Sequence, residues 1–156
     1  MSSFLPTIIL RHRKENLKKC TLRGLEVRGD MQFFTYPKDS LPKLTNYISL
    51  DLDGPPLSPE DNSYGLFLID ATWNYAKVMA KTLPHPIITR SLPAHIKTAY
   101  PRRQTDCADP TRGLASIEAI YIAYSLLGRD TTGLLDSYHW KEQFLSTLLC
   151  ASAPLR

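Results

Sequence analysis

The sequence predicts a single α/β domain built on a parallel sheet. Three observations indicate this class: short apolar strand patterns alternate with helical ones, the apolar run 66–69 ends abruptly at Asp70, and a helical pattern begins directly after that acid. Continuous apolar runs are typical of parallel strands that are buried on both faces. Because open α/β sheets bind ligands at the carboxyl ends of their strands, Asp70 is a candidate site residue.

Length and composition fit one globular domain. The chain has 156 residues, of which 43% are hydrophobic and 22% charged, enough to bury a sizeable core. Its apolar runs are shorter than a membrane span, and its first residues lack the features of a secretory signal. The three cysteines are far apart and form no disulfide or metal pattern. We therefore expect a cytoplasmic protein without a metal or a membrane partner.

Positive charge is concentrated near the N-terminus. Residues 11–28 contain seven Lys and Arg against two Glu, a net charge of +5, whereas the whole chain carries +4. Such a segment indicates an anionic partner, nucleic acid before a membrane surface, although a solvated basic surface has the same pattern. Because no Phe, Trp or Tyr lies within the segment, phosphate contacts are expected there rather than base stacking.

Strand patterns alternate with turn signals along the chain. The expected strands cover residues 7–10, 31–36, 47–52, 66–70 and 86–90. The third strand should stop at the Asp-Gly-Pro-Pro sequence of residues 53–56, because proline interrupts a hydrogen-bond ladder. Ser58 followed by Pro59 is typical of a short helix start.

Three longer helices are expected. The first covers about residues 72–83, and its apolar face contains Trp73, Ala76, Ala80 and Leu83. The second begins with Ser116 as its N-cap and ends at Gly128; it is apolar on nearly every side, which is typical of a buried helix. The third covers about residues 132–149. Residues 100–113 have little periodicity and are expected to form a loop.

Common nucleotide-binding and hydrolase motifs are missing from the sequence. It contains no G-x-G-x-x-G, no G-x-x-x-x-G-K-[ST] and no G-x-S-x-G, and its cysteines have no nearby base. Two patterns remain. Asp-x-Thr-Trp-x-x-Ala runs from Asp70 to Ala76 at a strand–helix junction, and Ser-Ile-Glu-Ala runs from Ser116 to Ala119 at a loop–helix junction.

These two patterns resemble the signatures of the DTW-domain proteins, transferases that attach a 3-amino-3-carboxypropyl (acp) group to uridine in transfer RNA. The flanking sequence more closely resembles a sister family, the ribosome-biogenesis aminocarboxypropyltransferases that modify small-subunit ribosomal RNA. The matching elements are Lys-Lys-Cys-Thr at 18–21, Leu-Ser-Pro-Glu-Asp at 57–61, and Trp140 with Phe144 and Leu145. Residues 100–112 depart from the ribosomal family, so tRNA and small-subunit rRNA both stay open as substrates.

The resemblance implies a SPOUT-like fold, in which helices flank a parallel sheet and the C-terminal part forms a trefoil knot. A small basic N-terminal α+β region would be added to it. The implied cofactor is S-adenosylmethionine (SAM). We expect a single domain and a monomer, with residues 1–60 facing RNA and residues 61–156 forming the knotted, SAM-binding part.

The resemblance also implies roles for individual residues. Asp70 would position the transferred group or deprotonate the uridine, and Trp73 with Ala76 would enclose the methyl group of SAM. The expected cofactor contacts are Thr21, Thr72, Trp73, Ala76, Leu92, Leu114, Ala115 and Ser116. Structural interpretations exist beside these roles, because Asp70 and Ser116 also suit helix caps and Trp73 a packed core.

The expected RNA contacts come from the basic segment and from the loop that contains three arginines. They are Arg11, Arg13, Lys14, Lys18, Lys19, Arg23, Arg102, Arg103 and Arg112. The predicted activity is SAM-dependent acp transfer to a uridine-type base of structured RNA, with release of methylthioadenosine. Two alternatives are an RNA methyltransferase of the same fold and a non-catalytic RNA-binding or ribosome-assembly factor.

Overall fold

Five parallel strands form one sheet in the described part of the chain. The computed structural model describes residues 4–14, 20–83, 86–101 and 114–149, apart from the side chain of Trp73. The strands are β1 (Thr7–His12), β2 (Met31–Tyr36), β3 (Tyr47–Pro56), β4 (Gly65–Asp70) and β5 (Ile88–Ser91). Their order across the sheet is β2-β1-β4-β3-β5, and every pairing is parallel. The predicted α/β class with a parallel sheet is confirmed.

Helices lie on both faces of this sheet. The α-helices are α1 (Trp73–Lys81), α2 (Ser116–Leu127) and α3 (Lys141–Leu149), and shorter 3₁₀-helices cover Leu25–Val27 and Pro59–Ser63. Helix α2 ends as predicted at Gly128, whose φ of 72° is in the left-handed region that glycine adopts readily. Nine of the twelve residues of α2 are buried, so the prediction of a buried helix is confirmed.

Burial on both faces explains the continuous apolar runs of the strands. Along β1, Ile9 packs into the larger core together with residues of α2 and α3, whereas Leu10 packs into a smaller core with Met79 of α1. Successive side chains of a strand alternate between the two faces. Arg11 therefore lies on the α2 face of the sheet and His12 on the α1 face.

The order of the strands in the sheet differs from their order in the chain. Strand β4 pairs with β1 on one side and with β3 on the other, so it lies between two strands that precede it in the sequence. The carboxyl ends of β1 and β4 are consequently neighbours. In the parallel register of this pair, Arg11 lies directly opposite Asp70.

The predicted end of the third strand is wrong. Strand β3 continues through the expected break at 53–56 and ends at Pro56. Its pairing with β5 is irregular between Asp51 and Pro56, which is the signature of a bulge. A bulge accommodates prolines, because residues inside it need not donate to the ladder.

Two helical predictions are also wrong. Helix α3 begins at Lys141 and not near residue 132, because residues 132–137 form turns that include Gly133 at a φ of 82°. Leu134, Leu135 and Tyr138 are buried at a helix-like spacing without being helical. Among the described side chains of α1, Met79 is fully buried, whereas Ala80 of the predicted apolar face is exposed.

Candidate functional site

A buried ion pair marks the carboxyl edge of the sheet. Asp70 ends β4 and is 5% exposed, and Arg11 on the neighbouring strand is 8% exposed. The Arg11 Nε donates a hydrogen bond to Asp70 Oδ2 at 3.2 Å. The β1–β4 register produces this contact by placing the two residues side by side on one face. The acid that the sequence predicts at the sheet edge therefore has a guanidinium as its partner.

Two further side chains donate hydrogen bonds to the Asp70 carboxylate. The Cys20 thiol donates to Oδ2 at 3.0 Å, and the Ser116 hydroxyl donates to Oδ1 at 2.9 Å. The prediction that Ser116 caps α2 is wrong, because Ala115 is the N-cap and Ser116 is the first helical residue. Its hydroxyl binds Asp70, so the carboxylate joins β4 to the start of α2.

Arg11 connects this carboxylate to a second one. Its Nη1 donates to Glu26 Oε2 at 3.2 Å, and its guanidinium lies 4.7 Å from the centre of the Phe33 ring. Burial alone lowers the pKa of Arg11, but the acidic groups of Cys20 and Asp70 outweigh it, so the pKa is raised overall. We call Arg11, Cys20, Glu26, Asp70 and Ser116 the Asp70 cluster. With one cation and two carboxylates, it carries a net negative charge.

Cys20 acts in this cluster as a hydrogen-bond donor. Burial raises the pKa of its thiol to about 12, and the charge of Asp70 and the hydrogen bond to it contribute to the rise. A thiol with so high a pKa stays protonated at neutral pH and is a poor nucleophile. Its Sγ also lies 3.4 Å from Arg11 Nη2, so it packs inside the ion pair.

Two helix N-termini meet the same edge of the sheet. Helix α1 follows β4 directly, with Thr72 as its N-cap, and the Thr72 carbonyl accepts a hydrogen bond from Ala76 N–H at 2.8 Å. At the start of α2, the hydroxyl oxygen of Thr21 accepts from Ile117 N–H at 3.3 Å. The first turn of a helix has N–H groups without intrahelical partners and a partial positive charge. The edge thus combines a negative cluster with positive helix ends.

The Glu118 side chain binds the N-terminal end of its own helix, α2. This carboxylate is fully buried, with 0% exposure. Its Oε1 accepts hydrogen bonds from Thr98 Oγ1 at 2.6 Å and Ala115 N–H at 2.8 Å. Its Oε2 accepts from Ala99 N–H at 2.8 Å and Tyr138 Oη at 2.9 Å. Glu118 therefore connects the chain after β5, the first turn of α2 and the segment before α3.

The predicted cofactor residues fall into two groups. Those that bind the start of α2 or pack on its core are Thr21, Leu92, Leu114, Ala115 and Ser116. The second group is at the start of α1, where Thr72 is exposed and Ala76 half-buried. The side chain of Trp73 lies outside what the structure describes. The first group is joined to Asp70 through Ser116, and the second follows Asp70 directly in the chain.

The predicted RNA contacts separate by burial. Arg11 lies inside the Asp70 cluster, where its guanidinium is bound to Asp70, Glu26 and Cys20. Arg13, Lys14 and Arg23 are exposed. The remaining predicted cations, which lie outside the described residues, are Lys18, Lys19, Arg102, Arg103 and Arg112. Arg11 is therefore buried away from the predicted phosphate contacts, whereas Arg13, Lys14 and Arg23 are at the surface.

The sequence patterns predict Arg11 as an RNA contact and not as the partner of Asp70, and they assign no site role to Cys20 or Glu26. Cys20 is only one letter of the 18–21 motif, and Glu26 is only a charge within a basic segment. A partial signal does exist, since an arginine and an aspartate both occur at the ends of apolar strand patterns. Their pairing follows from the strand order, which periodicity does not specify.

The described residues contain no arrangement typical of a metal site or of a membrane span. Across 4–14, 20–83, 86–101 and 114–149, no group of three or more His, Cys, Asp or Glu side chains is arranged to hold a metal ion. In that part of the chain, no helix has the length and apolar character that a membrane span requires. The two carboxylates of the Asp70 cluster share the single guanidinium of Arg11.

Together, fold and cluster define a parallel α/β protein with a buried ionised network at the sheet edge where such folds bind ligands. Among solved structures, the chain is similar to the SAM-dependent rRNA:acp-transferase Tsr3 from Vulcanisaeta distributa, with a TM-score of 0.68 and 28% sequence identity. The match covers 91% of this chain and 78% of that protein. No family model matches the chain, and none of the curated proteins does.

Proposed function

We propose that the protein transfers the acp group of SAM to a uridine-type base of structured RNA and releases methylthioadenosine. The observation that carries this proposal is the structural match, at 28% identity over 91% of the chain, to a transferase of this kind. The ordered motifs that resemble the aminocarboxypropyltransferases, from residues 18–21 to Trp140, support the same reaction. RNA modification is therefore favoured over a purely structural role.

The residues at the sheet edge fit SAM by charge and polarity. SAM carries a sulfonium, an ammonium and a carboxylate, so it is a net cation at neutral pH. The net negative Asp70 cluster suits the cationic groups, and the N-termini of α1 and α2 suit the carboxylate. Leu92 and Leu114, which are partly buried, offer an apolar surface for the adenine ring, and the backbone around Leu114 and Ala115 would enclose it further.

Selection of the acp group is mainly a matter of orientation. When bound, SAM supplies a γ-carbon that its sulfonium activates for attack by the nucleobase. We assign Trp73 and Ala76, which are one helical turn apart, to enclosing the methyl group, so that the γ-carbon is presented to RNA. An indole face also attracts a sulfonium cation.

We assign Asp70 to holding the amino group of the transferred chain. A positioning role fits the geometry, because hydrogen bonds from Arg11, Cys20 and Ser116 fix the orientation of the carboxylate. Each carboxylate oxygen has two lone pairs, and among the described residues the Ser116 hydroxyl is the donor to Oδ1, so Oδ1 can still accept a hydrogen bond from the ammonium group. The Thr21 and Thr72 hydroxyls remain able to donate hydrogen bonds to polar ends of the cofactor.

RNA is the proposed macromolecular partner, and rRNA is favoured over tRNA because the similar transferase is named for rRNA. The exposed Arg13, Lys14 and Arg23 would neutralise phosphates. The cations outside the described residues would add to this surface; they are Lys18, Lys19, Arg102, Arg103 and Arg112. Affinity for RNA should therefore fall as the salt concentration rises.

Finer features of the resemblance are also proposed: a SPOUT-like class, a C-terminal trefoil knot, a monomer and a cytoplasmic location. Glu118 binds the chain after β5 to α2 and to Tyr138, within the C-terminal part to which the knot is assigned. The free thiol of Cys20 suits a reducing compartment. Residues 1–60 would supply most RNA contacts and residues 61–156 most cofactor contacts. Light scattering measures the oligomeric state.

Product analysis tests the proposed reaction. Purified protein is incubated with SAM and with RNA from cells that lack the protein, and we expect methylthioadenosine together with an acp-modified nucleoside. S-adenosylhomocysteine with a methylated nucleoside would indicate a methyltransferase instead. RNA binding without any affinity for SAM would indicate a non-catalytic factor. We expect Asp70→Asn to lose transfer, while the matched variant Asp136→Asn, at an exposed acid, keeps it.

A further inference from the structure

An aromatic cluster lies at the carboxyl ends of β1 and β2, on the α1 face of the sheet. The His12 ring stacks on Tyr75 of α1, with ring centroids 3.9 Å apart and an interplanar angle of 7°. Tyr36 at the end of β2 is tilted at 35° to His12, with centroids 5.6 Å apart. Since Arg11 and His12 are adjacent on β1, this cluster and the Asp70 cluster lie on opposite faces of one edge.

The two stacked rings differ in exposure. His12 is 8% exposed, whereas Tyr75 is 37% exposed. Val78 lies one turn further along α1 and is 54% exposed, so an exposed apolar side chain lies beside Tyr75 on the helix. Within the described part of the chain, His12 is the ring that contacts Tyr75. The imidazole thus supports one face of an aromatic ring that solvent partly reaches.

The basic segment holds the supporting ring in place. The Nδ1 of His12 accepts a hydrogen bond from Lys14 N–H at 3.1 Å, which assigns the proton of a neutral imidazole to Nε2. Burial lowers the pKa of His12, and the charges of Arg13 and Lys14 lower it further. Arg13 and Lys14 themselves are exposed, and neither forms an ion pair with another described residue.

We propose that Tyr75, supported by His12, stacks an unpaired nucleobase of the RNA substrate while Arg13 and Lys14 contact the adjacent phosphates. A partly exposed aromatic ring beside exposed cations is the combination that single-stranded nucleic acid requires. The exposed cations favour RNA over a protein partner, which would have to supply acids to match them. The inference rests on the proposed function and sharpens it, because it specifies that the recognised RNA segment is single-stranded.

Binding of a single-stranded RNA tests the proposal. The probe is a fluorescently labelled RNA of roughly 12 nucleotides, within the usual range of site sizes, and the readout is anisotropy without SAM. Loss of one base–aromatic stack in Tyr75→Ala should weaken binding about 5- to 150-fold. Tyr75→Phe keeps the ring and should bind within about twofold of the native protein. Circular dichroism checks that both variants are folded.

Further binding measurements separate the contribution of base stacking from that of phosphate contacts. An RNA of the same length with abasic sites should bind the native protein as weakly as the intact RNA binds Tyr75→Ala. Tyr75→Ala should leave the salt dependence of binding unchanged, whereas Arg13→Gln should reduce its slope by about one. A duplex of the same sequence should bind Tyr75→Ala and native protein equally.

Equal binding of intact RNA by Tyr75→Ala and by the native protein would overturn the proposal. So would equal binding of intact and abasic RNA by the native protein, a comparison that stays decisive even if Tyr75→Ala does not fold. Failure of the proposed function is distinguishable, because it would show as absent acp transfer by the native protein. Stacking is measured without SAM and is read independently of that result.

Discussion

Removal of the Arg11 guanidinium is the sharpest test of the Asp70 cluster. Arg11→Met keeps the length of the side chain and its packing along β1, but leaves the buried Asp70 carboxylate without its cation. Arg11 and Asp70 have side chains that are only 10% and 7% exposed, so water cannot readily replace the lost partner. We therefore expect Arg11→Met to lower the free energy of unfolding substantially.

The size of the loss follows from the contacts. Breaking a buried ion pair by removing one partner typically costs about 3–5 kcal/mol. The lower end applies here, because Asp70 keeps its hydrogen bonds from Cys20 and Ser116. The Glu26 side chain is 40% exposed and regains water, so its own loss should stay below about 1 kcal/mol. We expect a total of about 3 kcal/mol.

Urea unfolding followed by tryptophan fluorescence measures this loss. Lys141→Met is the matched control, because it removes a cation from an exposed pair with Asp136 and should cost less than about 1 kcal/mol. In the double variant Arg11→Met/Asp70→Asn, both charges are gone, and the combined loss should be about 1–2 kcal/mol smaller than the sum of the single losses. A loss below about 1 kcal/mol for Arg11→Met, or strictly additive single losses, would refute the buried ion pair.

Three further predictions concern the same edge of the sheet. Ser116→Ala removes the donor to Asp70 Oδ1 and should weaken SAM binding about fivefold, as measured by calorimetry. The control is Ser125→Ala, because the native Ser125 hydroxyl binds the Tyr121 carbonyl in the same helix, and it should not change SAM affinity. Equal SAM affinities of the two variants would contradict the role of Ser116. Glu118→Gln places an amide NH₂ against hydrogen-bond donors and should lower the free energy of unfolding in urea by about 3 kcal/mol. A change in that free energy within about 0.5 kcal/mol would argue against the carboxylate as the group that joins these segments. Because the pKa of Cys20 is raised to about 12, iodoacetamide near pH 8 should alkylate it about a thousandfold more slowly in the native than in the unfolded chain, as measured by peptide mapping. The same raised pKa makes the contribution of Cys20 to stability complete below the unfolded pKa of about 8.5 and progressively lost as the pH rises towards 12.

Local sequence patterns were sufficient for much of the fold. The strands β1, β2, β4 and β5 and the buried helix α2 match their predicted places, because periodicity and terminating residues act within a few neighbouring positions. The errors come from tertiary contacts. The prolines at the end of β3 are tolerated at an irregular pairing with β5. Tyr138 and its neighbours imitate a helical spacing because they pack on the core and on Glu118.

Some site residues follow from local sequence patterns, and others only from the strand order of the fold. The strand–helix pattern predicts Asp70 as an acid at the sheet edge, and the structure has it there. The identity of its partners depends on strand order: Arg11 appears in the sequence as one cation of a basic segment, but lies opposite Asp70 because β1 and β4 are neighbours. The absence of aromatic residues from the basic segment likewise predicts no base stacking. The fold brings Tyr36 and Tyr75 to that segment from other elements.

The central claim is that this edge of the sheet directs transfer of the acp group and not of the methyl group. The most direct measurement supplies purified protein and RNA with SAM that is radiolabelled either on its carboxyl carbon or on its methyl carbon. We expect RNA to acquire the carboxyl label, while the methyl label stays in methylthioadenosine. Methyl label in RNA, or no label from either SAM under conditions in which the protein binds both substrates, would contradict it.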